Sequence, residues 1–166
     1  MSVHKIKIHF KNPSIKGDIH LDGSKSISNR ALIMQALSKG ADIKLDHLST
    51  SKDTNLMQSL LDASDEVLDA GAAGTTFRFL TAYLAIQNRS VILTGSERMK
   101  QRPIGELANT LNDMGANIEY LEKQGYPPLK FHPVDLTTFK RKISIKSTIS
   151  SQYITALLMI GPSLPN

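Results

Sequence analysis

The stretch GSKSISNR, residues 23–30, places two cations and several hydroxyl groups at the predicted start of a helix. Ser24 or Ser26 can cap this helix by accepting a hydrogen bond from a free backbone N–H. A helix N-terminus also attracts phosphate or carboxylate, because its first N–H groups lack partners and carry partial positive charge. Lys25 lies at that end, and Ser26 and Arg30 share one helix face. Capping alone and anion binding both account for this stretch, and the spacing of glycine before lysine excludes a P-loop.

Three further stretches bring similar groups to predicted helix starts. GAAGTTFR (71–78) combines two glycines, which let a ligand approach the backbone, with two threonines and an arginine. ERMKQRPIG (97–105) places an arginine directly before a helix, and STISSQYITALL (147–158) opens a helix with hydroxyl and amide groups. The residues that could contact a ligand in these stretches are Gly71, Gly74, Thr75, Thr76, Arg78, Arg102, Ser150, Ser151 and Gln152. Each stretch alone also fits a glycine-rich turn, a solvated charge run or a serine cap, but four such starts in one cleft would bind a polyanion.

The composition limits the classes of function. The chain has 166 residues, 40% hydrophobic and 21% charged, which is typical of a globular protein with a real core. Its net charge of +5 suits anionic metabolites as well as nucleic acid. Aromatic residues make up only 5% and no nucleic-acid motif is recognisable, so we expect no nucleic-acid partner.

Cysteine is absent, which excludes disulfides, thiolate metal ligands and a cysteine nucleophile. The five histidines have no metal-ligand spacing, so we expect no metal site. The N-terminus lacks the pattern of a signal peptide, and the longest apolar run, ITALLMIG, is too short to span a bilayer. We therefore expect a cytoplasmic protein without a membrane partner.

Strand and helix patterns alternate irregularly along the chain, which predicts an α/β or α+β fold with mixed sheets. Strands are predicted at 4–10, 18–23, 41–48, 66–71, 90–95, 116–122, 128–133 and 142–147. Helices are predicted at 26–40, 51–64, 73–88, 102–115 and 150–161. LSKGADIKL (37–45) and LNDMGANIEYL (111–121) repeat one pattern, in which a helix ends at Gly-Ala and an isoleucine opens a strand. This repetition favours a repeated helix–strand unit.

Four motifs in order resemble the N-terminal half of the EPSP synthase (3-phosphoshikimate 1-carboxyvinyltransferase) family. They are LDGSKSISNRAL, AGTTFRFL, TGSERMKQRPIGELANTL with YPPL, and SSQYITALLM, and they cover nearly the whole chain. A sister family that loads enolpyruvate onto a UDP-sugar usually has a cysteine near the KQRPI position, and this chain has none. The resemblance implies two similar domains, built from repeated βαβαββ units, that close on substrate. Residues 1–14 would be a strand belonging with the other domain, and 15–166 an incomplete N-terminal domain.

The resemblance also implies a role for each candidate residue. Ser26 and Arg30 would bind shikimate 3-phosphate, and Ser150 and Ser151 would grip its phosphate. Lys25, the candidate catalytic residue, would contact both this substrate and phosphoenolpyruvate.

The second substrate, phosphoenolpyruvate, would be held by Gly74 and Arg102, with Gln152 between the two ligands. The implied reaction joins the 5-hydroxyl of shikimate 3-phosphate to C2 of phosphoenolpyruvate. Protonation of the enol carbon gives a tetrahedral intermediate, and phosphate then leaves. No cofactor is implied.

Two departures from the family pattern stand out. Ala72 occupies the place of asparagine in a Gly-Asn-Ala-Gly-Thr loop, and the segment 60–71 is shorter than usual. The family's acid–base carboxylates lie in its C-terminal half. We therefore expect this chain to bind weakly or not at all, and not to turn over without a C-terminal domain as partner. The alternative is a non-catalytic binding module for an anionic metabolite, which differs in that a C-terminal half would not restore activity.

Overall fold

A computed structural model describes residues 7, 9, 16–38, 41–140, 142, 143, 145 and 150–165. The helices are α1 (Lys25–Leu37), α2 (Lys52–Asp62), α3 (Gly74–Leu84), α4 (Glu97–Lys100), α5 (Gly105–Met114) and α6 (Ser151–Ile160). The strands are β1 (Val67–Asp69), β2 (Val91–Thr94), β3 (Ile118–Tyr120) and β4 (Leu129–Phe131). Short 3₁₀ turns follow at Leu136–Thr138 and Gly161–Ser163.

The four strands form one mixed sheet in the order β1-β2-β4-β3. β1 and β2 run parallel with α3 between them, and Leu68 lies opposite Leu93. β4 runs antiparallel to both β2 and β3, with Ile118 opposite Phe131. From β1 to β4 the chain therefore forms one complete βαβαββ unit, which confirms the predicted fold class.

The helix α3 lies at the centre of the structure and packs against α1, α2, α5 and α6. Seven of its eleven residues are buried, two of them threonines, as expected for a central helix. Phe77 is 1% exposed, and Phe79 and Leu80 are fully buried. The first turn of α3 also contacts two other helix starts, because Thr76 hydrogen-bonds to Asp53 in α2 and Thr75 to Gln152 in α6.

Local signals set the ends of several helices. Ser24, Ser51 and Ser150 cap α1, α2 and α6 through their side chains, as serine before a helix predicts. Gly115 ends α5 with a φ of 127°, and Ile118 then opens β3. The second copy of the repeated pattern is thus confirmed.

Two strand predictions are wrong. Residues 18–23 and 41–48 show the period-two pattern but form no regular secondary structure. Ile19 is 84% exposed and Leu21 89% exposed, so the apolar side chains of this segment are not buried on one face of a strand. A strand needs a neighbour to satisfy its backbone groups, and no ladder partner for either segment lies within the described part of the chain.

A third difference concerns α5, which begins at Gly105 although we predicted a helix from residue 102. The N–H groups of Ile104 and Gly105 both donate to the carbonyl of Gly125, at 2.9 and 3.0 Å, so the β3–β4 turn holds this stretch. Just before it lies the short helix α4, which we did not predict.

Most of the predicted strand at 4–10, Gly40 and half of the predicted strand at 142–147 lie outside the described residues. The division of the chain at residue 14 therefore stays a prediction. Among the helices that the structure describes, none has both the length and the apolar character needed to cross a bilayer.

Candidate functional site

The start of α1 holds three of the predicted site residues. Because Ser24 serves as the cap, accepting from Ile27 N at 3.4 Å, the hydroxyl of Ser26 is available for another contact. Arg30 Nη1 donates to the Ser26 carbonyl at 2.7 Å and also to the Ser26 hydroxyl. The Arg30 guanidinium lies 5.5 Å from the ring centroid of Phe79 in α3. The pair Ser26–Arg30 is thus fixed against the central helix.

Lys25 is linked to the starts of α2 and α3 through one carboxylate. Its Nζ lies 2.9 Å from Asp53 Oδ2 in the first turn of α2. The backbone carbonyl of Asp53 accepts a hydrogen bond from Thr76 Oγ1 in the first turn of α3, at 3.2 Å. The side chains of Lys25 and Asp53 remain 51% and 34% exposed, so a ligand can reach the ammonium group.

The start of α3 brings Gly74 and Arg102 together. Ala73, at the cap position, provides no side-chain acceptor for the first N–H groups of α3. A Cβ at Gly74 would lie 2.9 Å from Arg78 Nη1 and closer still to Arg102 Nη1, so both guanidinium groups approach this backbone. Beside it a cavity of about 390 Å³ is lined by Ala72, Arg98, Met99 and Arg102.

Gln152, in the first turn of α6, contacts the first turns of α3. Its Oε1 accepts from Arg78 Nη1 at 3.0 Å, and its Nε2 donates to Thr75 Oγ1 at 3.2 Å. Next to it, Tyr153 stacks 5.6 Å below the Arg78 guanidinium and donates its hydroxyl to the Pro103 carbonyl at 2.8 Å. These contacts join α6, α3 and the loop that carries the predicted site arginine.

Ser150 and Ser151 are exposed at the start of α6, where the Ser150 hydroxyl accepts from Gln152 N at 3.4 Å. Between described residues no hydrogen bond joins either serine to the groups of α1, although α1 and α6 pack against each other. The structure therefore brings the eight predicted residues to neighbouring helix starts but links them directly only in part.

A layer of polar contacts lies beneath the start of α1. Thr54 Oγ1 donates to Asn29 Oδ1 at 2.9 Å, and both residues are buried. Asp22 Oδ2 accepts from the backbone N–H and the hydroxyl of Thr50, at 2.7 and 2.9 Å. These two hydrogen bonds hold the pKa of the Asp22 carboxyl below its usual value. This layer fixes α1 against the start of α2.

Sequence reasoning did not assign a role to Asp53, Asn29 or Arg78. Arg78 lies inside the quoted GAAGTTFR stretch, one turn after Gly74, and that spacing is the only local signal for it. Asp53 and Asn29 make their contacts across 28 and 25 residues of chain, and nothing local reports such contacts.

The electrostatic character of this region is cationic. Among the four cations at these helix starts, Lys25 pairs with a carboxylate, that of Asp53. The other three, Arg30, Arg78 and Arg102, have no carboxylate within ion-pair distance in the described portion. The described residues also hold no cluster of three or more histidine or acidic side chains that could bind a metal ion. Fold and site together define an α/β protein whose converging helix starts offer donors to a polyanionic ligand.

Comparison with known proteins identifies the family. The sequence model of EPSP synthase (3-phosphoshikimate 1-carboxyvinyltransferase) matches residues 11–63 and 58–166, and the chain belongs to this family. The two matches overlap at residues 58–63, at the start of the segment 60–71.

Two curated relatives bear the same description, 3-phosphoshikimate 1-carboxyvinyltransferase. The relative from Bacteroides fragilis (strain YCH46) is 53% identical over 152 residues, covering 92% of this chain and 36% of its own length. The relative from Pectobacterium atrosepticum is 38% identical over 189 residues, covering 98% of this chain and 42% of its own length. The chain thus spans about two fifths of these relatives.

A solved structure of EPSP synthase from Acinetobacter baumannii superposes with a TM-score of 0.76 at 21% identity. The match covers 87% of this chain and 38% of the other. This similarity supports the fold assignment.

Proposed function

We propose that the chain forms part of an enzyme that transfers the enolpyruvyl group of phosphoenolpyruvate to the 5-hydroxyl of shikimate 3-phosphate. Such a step releases phosphate and belongs to the shikimate pathway of aromatic amino acid biosynthesis, which we place in the cytoplasm. The observation that carries the proposal is that the starts of α1 and α6 both join the start of α3, through Asp53 and Gln152, beside three arginines without carboxylate partners among the described residues.

The proposed roles divide between two substrates. Ser26 and Arg30 bind shikimate 3-phosphate, and Ser150 and Ser151 hold its phosphate. The fixed Ser26–Arg30 pair supports this role, because a guanidinium already oriented by neutral groups loses little freedom when it binds an anion.

Phosphoenolpyruvate is held by Gly74 and Arg102 in the same proposal. The approach of the Arg102 guanidinium to the open first turn of α3 supports this assignment. An anion there would accept hydrogen bonds from backbone N–H groups and from the guanidinium together. Lys25 contacts both substrates, and Gln152 lies between them. Two polyanions repel each other, so a site that joins them needs several cations.

The rest of the proposed enzyme must supply the acid–base groups that move protons between the 5-hydroxyl and the enol carbon. Exposed apolar side chains on the described surface support packing against further protein. Leu158 of α6 is 71% exposed and Ile27 of α1 is 70% exposed. We therefore propose that a C-terminal domain completes the site and that this chain alone does not turn over.

The first test is a titration of the chain with shikimate 3-phosphate, followed by backbone amide NMR shifts. Shifts should centre on residues 24–30 and 150–152. Arg30→Ala should weaken binding about 10- to 100-fold, because a hydrogen bond from a charged group contributes about 1.5–3 kcal/mol. Lys123→Ala removes the same charge on the β3–β4 turn and should have no effect.

A matched pair tests the serines. Ser151→Ala should weaken binding, whereas Ser59→Ala, an exposed serine of α2, should not. Turnover is tested with a chimera in which this chain replaces the matching 36% of the Bacteroides fragilis relative. Phosphate release that depends on both substrates supports the proposal. A folded chimera without it favours a binding module for an anionic metabolite.

A further inference from the structure

Arg78 occupies a central position that the proposed roles do not use. Its Nη1 donates to two acceptors at once, the Gly74 carbonyl at 3.2 Å and Gln152 Oε1 at 3.0 Å. Its guanidinium stacks over the ring of Tyr153. The Nε of Arg78 is shielded from solvent and has no hydrogen-bond partner among the described residues. This side chain therefore connects two candidate ligand-binding residues, one in α3 and one in α6.

The chemistry of these contacts fixes the orientation of the Gln152 amide. A guanidinium has only donors, so the atom that faces Arg78 has to be the amide oxygen. The amide nitrogen then points the other way, where one of its N–H groups donates to Thr75 Oγ1 at 3.2 Å. Exchanging the two ends of the amide would place its NH₂ group against the guanidinium and lose the hydrogen bond to Arg78, while the Thr75 hydroxyl could still donate to the amide oxygen. The contact with Arg78 therefore decides the orientation.

We propose that Arg78 is a positioning residue that sets the polarity of the Gln152 amide, so that its second N–H is directed to an anionic ligand. The inference rests on the proposed role of Gln152 between the two substrates. A glutamine that rotates freely offers an anion its carbonyl oxygen as readily as its N–H, and the oxygen repels. Fixing the amide removes that unfavourable orientation before the ligand arrives.

The absence of a carboxylate near Arg78 in the described part of the chain is consistent with this role. An acidic partner would also orient the guanidinium, but it would cancel the positive charge that an anionic ligand needs. The neutral acceptors of Gly74 and Gln152 orient the guanidinium and leave its charge intact.

The first test measures the NMR signals of the Gln152 side-chain amide. In the ¹⁵N-labelled chain, the side-chain NH₂ signals of Gln152 are assigned by their loss in Gln152→Glu. In Arg78→Met, which keeps the length of the side chain but not its donors, both proton shifts should move towards those of exposed glutamines. Arg98→Met removes the same charge from an exposed residue beside the cavity and should leave these signals in place. Unchanged Gln152 signals in a folded Arg78→Met variant would overturn the proposal.

Arg78→Lys keeps the test decisive if Arg78→Met does not fold. Lysine retains the charge but lacks the planar pair of N–H donors, so the Gln152 signals should still move, by less than in a folded Arg78→Met. If they stay in place in Arg78→Lys, the proposal is wrong.

The ligand part of the inference is tested in the chimera. Arg78→Met should raise the KM for phosphoenolpyruvate about 10- to 100-fold with a smaller change in kcat, and Arg78→Lys should recover part of it. An unchanged KM beside altered amide signals would overturn the role towards the ligand. If the unsubstituted chimera transfers no enolpyruvyl group, the proposed function fails, whereas the amide signals still decide whether Arg78 orients Gln152.

Discussion

Gly74→Ala tests whether Arg102 depends on close approach to the first turn of α3. The new Cβ would lie 3.2 Å from Arg102 Cζ and closer still to Arg102 Nη1. Since an ordinary contact between such atoms needs about 3.4 Å or more, the guanidinium must withdraw by roughly 1 Å. A displacement of about 1 Å in a binding group can cost on the order of 100-fold. We therefore expect the KM for phosphoenolpyruvate in the chimera to rise about 10- to 100-fold.

The same substitution should leave the fold intact. The atoms that must move, Nη1 of Arg102 and Nη1 of Arg78, are the far ends of flexible side chains, and Gly74 is not at a positive φ. Alanine also favours helix over glycine by roughly 0.5–1 kcal/mol in a helix interior. We expect the Tm of the chain to stay the same or to rise by up to about 3 °C.

Gly71→Ala is the matched control. It should lower the stability of the chain but leave the position of Arg102 unchanged, the reverse of what we expect for Gly74→Ala. The nearest atom to a Cβ there is Leu56 Cδ2 at 3.9 Å, so space is available, but the φ of +53° strains any residue with a side chain. Stability should fall by about 1–2 kcal/mol, while the Nε–H signal of Arg102 stays in place. In Gly74→Ala, by contrast, the NMR signal of the Arg102 Nε–H should move. The reasoning is refuted if Gly74→Ala lowers the Tm by more than about 3 °C. It is also refuted if both the Arg102 Nε–H signal and the KM of the chimera for phosphoenolpyruvate stay unchanged.

Two further predictions concern the polar layer beneath α1. Asn29→Ala should lower the free energy of unfolding by about 1–3 kcal/mol, because the buried Thr54 hydroxyl loses its hydrogen bond to Asn29 and keeps only the one with Ser51. The exposed control Asn55→Ala should change it by less than about 0.5 kcal/mol, and equal effects of the two substitutions in thermal melts would contradict this. The pKa of Asp22 lies below the usual 3.8, so its stabilisation is present above that pH and is lost as the pH falls through the lower folded value. The Thr50 amide shift should follow this titration by NMR and lose it in Asp22→Asn, and a carboxyl that titrates at or above 3.8 would refute the assignment.

The helices could be predicted because their signals are local. Ser24, Ser51 and Ser150 each precede an apolar pattern of helical period, and each caps the helix that follows. The strands at 18–23 and 41–48 could not be judged in the same way. A period-two pattern shows which residues could share a face, but it contains no information on whether a partner strand is present.

The same distinction between local and long-range signals applies to the candidate site. Lys25, Gly74 and Gln152 could be named as candidates because they lie at helix starts, which the sequence marks. The partners that orient them could not be found, because the Lys25–Asp53 contact spans 28 residues of chain and the Arg78–Gln152 contact spans 74. Such pairs depend on how α1, α2 and α6 pack on α3, and packing of this kind follows from volume and shape rather than from local sequence.

The choice of neutral partners explains how this site can be both ordered and cationic. Arg30 donates to the carbonyl and hydroxyl of Ser26, and Arg78 donates to a carbonyl and an amide oxygen. A carboxylate about 4 Å from either guanidinium would offset roughly 4 kcal/mol of attraction for an anion at an effective dielectric constant of about 20. Lys25 is the exception, since Asp53 faces it, and there an incoming anion has to compete with a carboxylate. We therefore infer that the arginines attract an anion with their full charge, whereas at Lys25 the Asp53 carboxylate offsets part of the attraction although the exposed ammonium group keeps free donors.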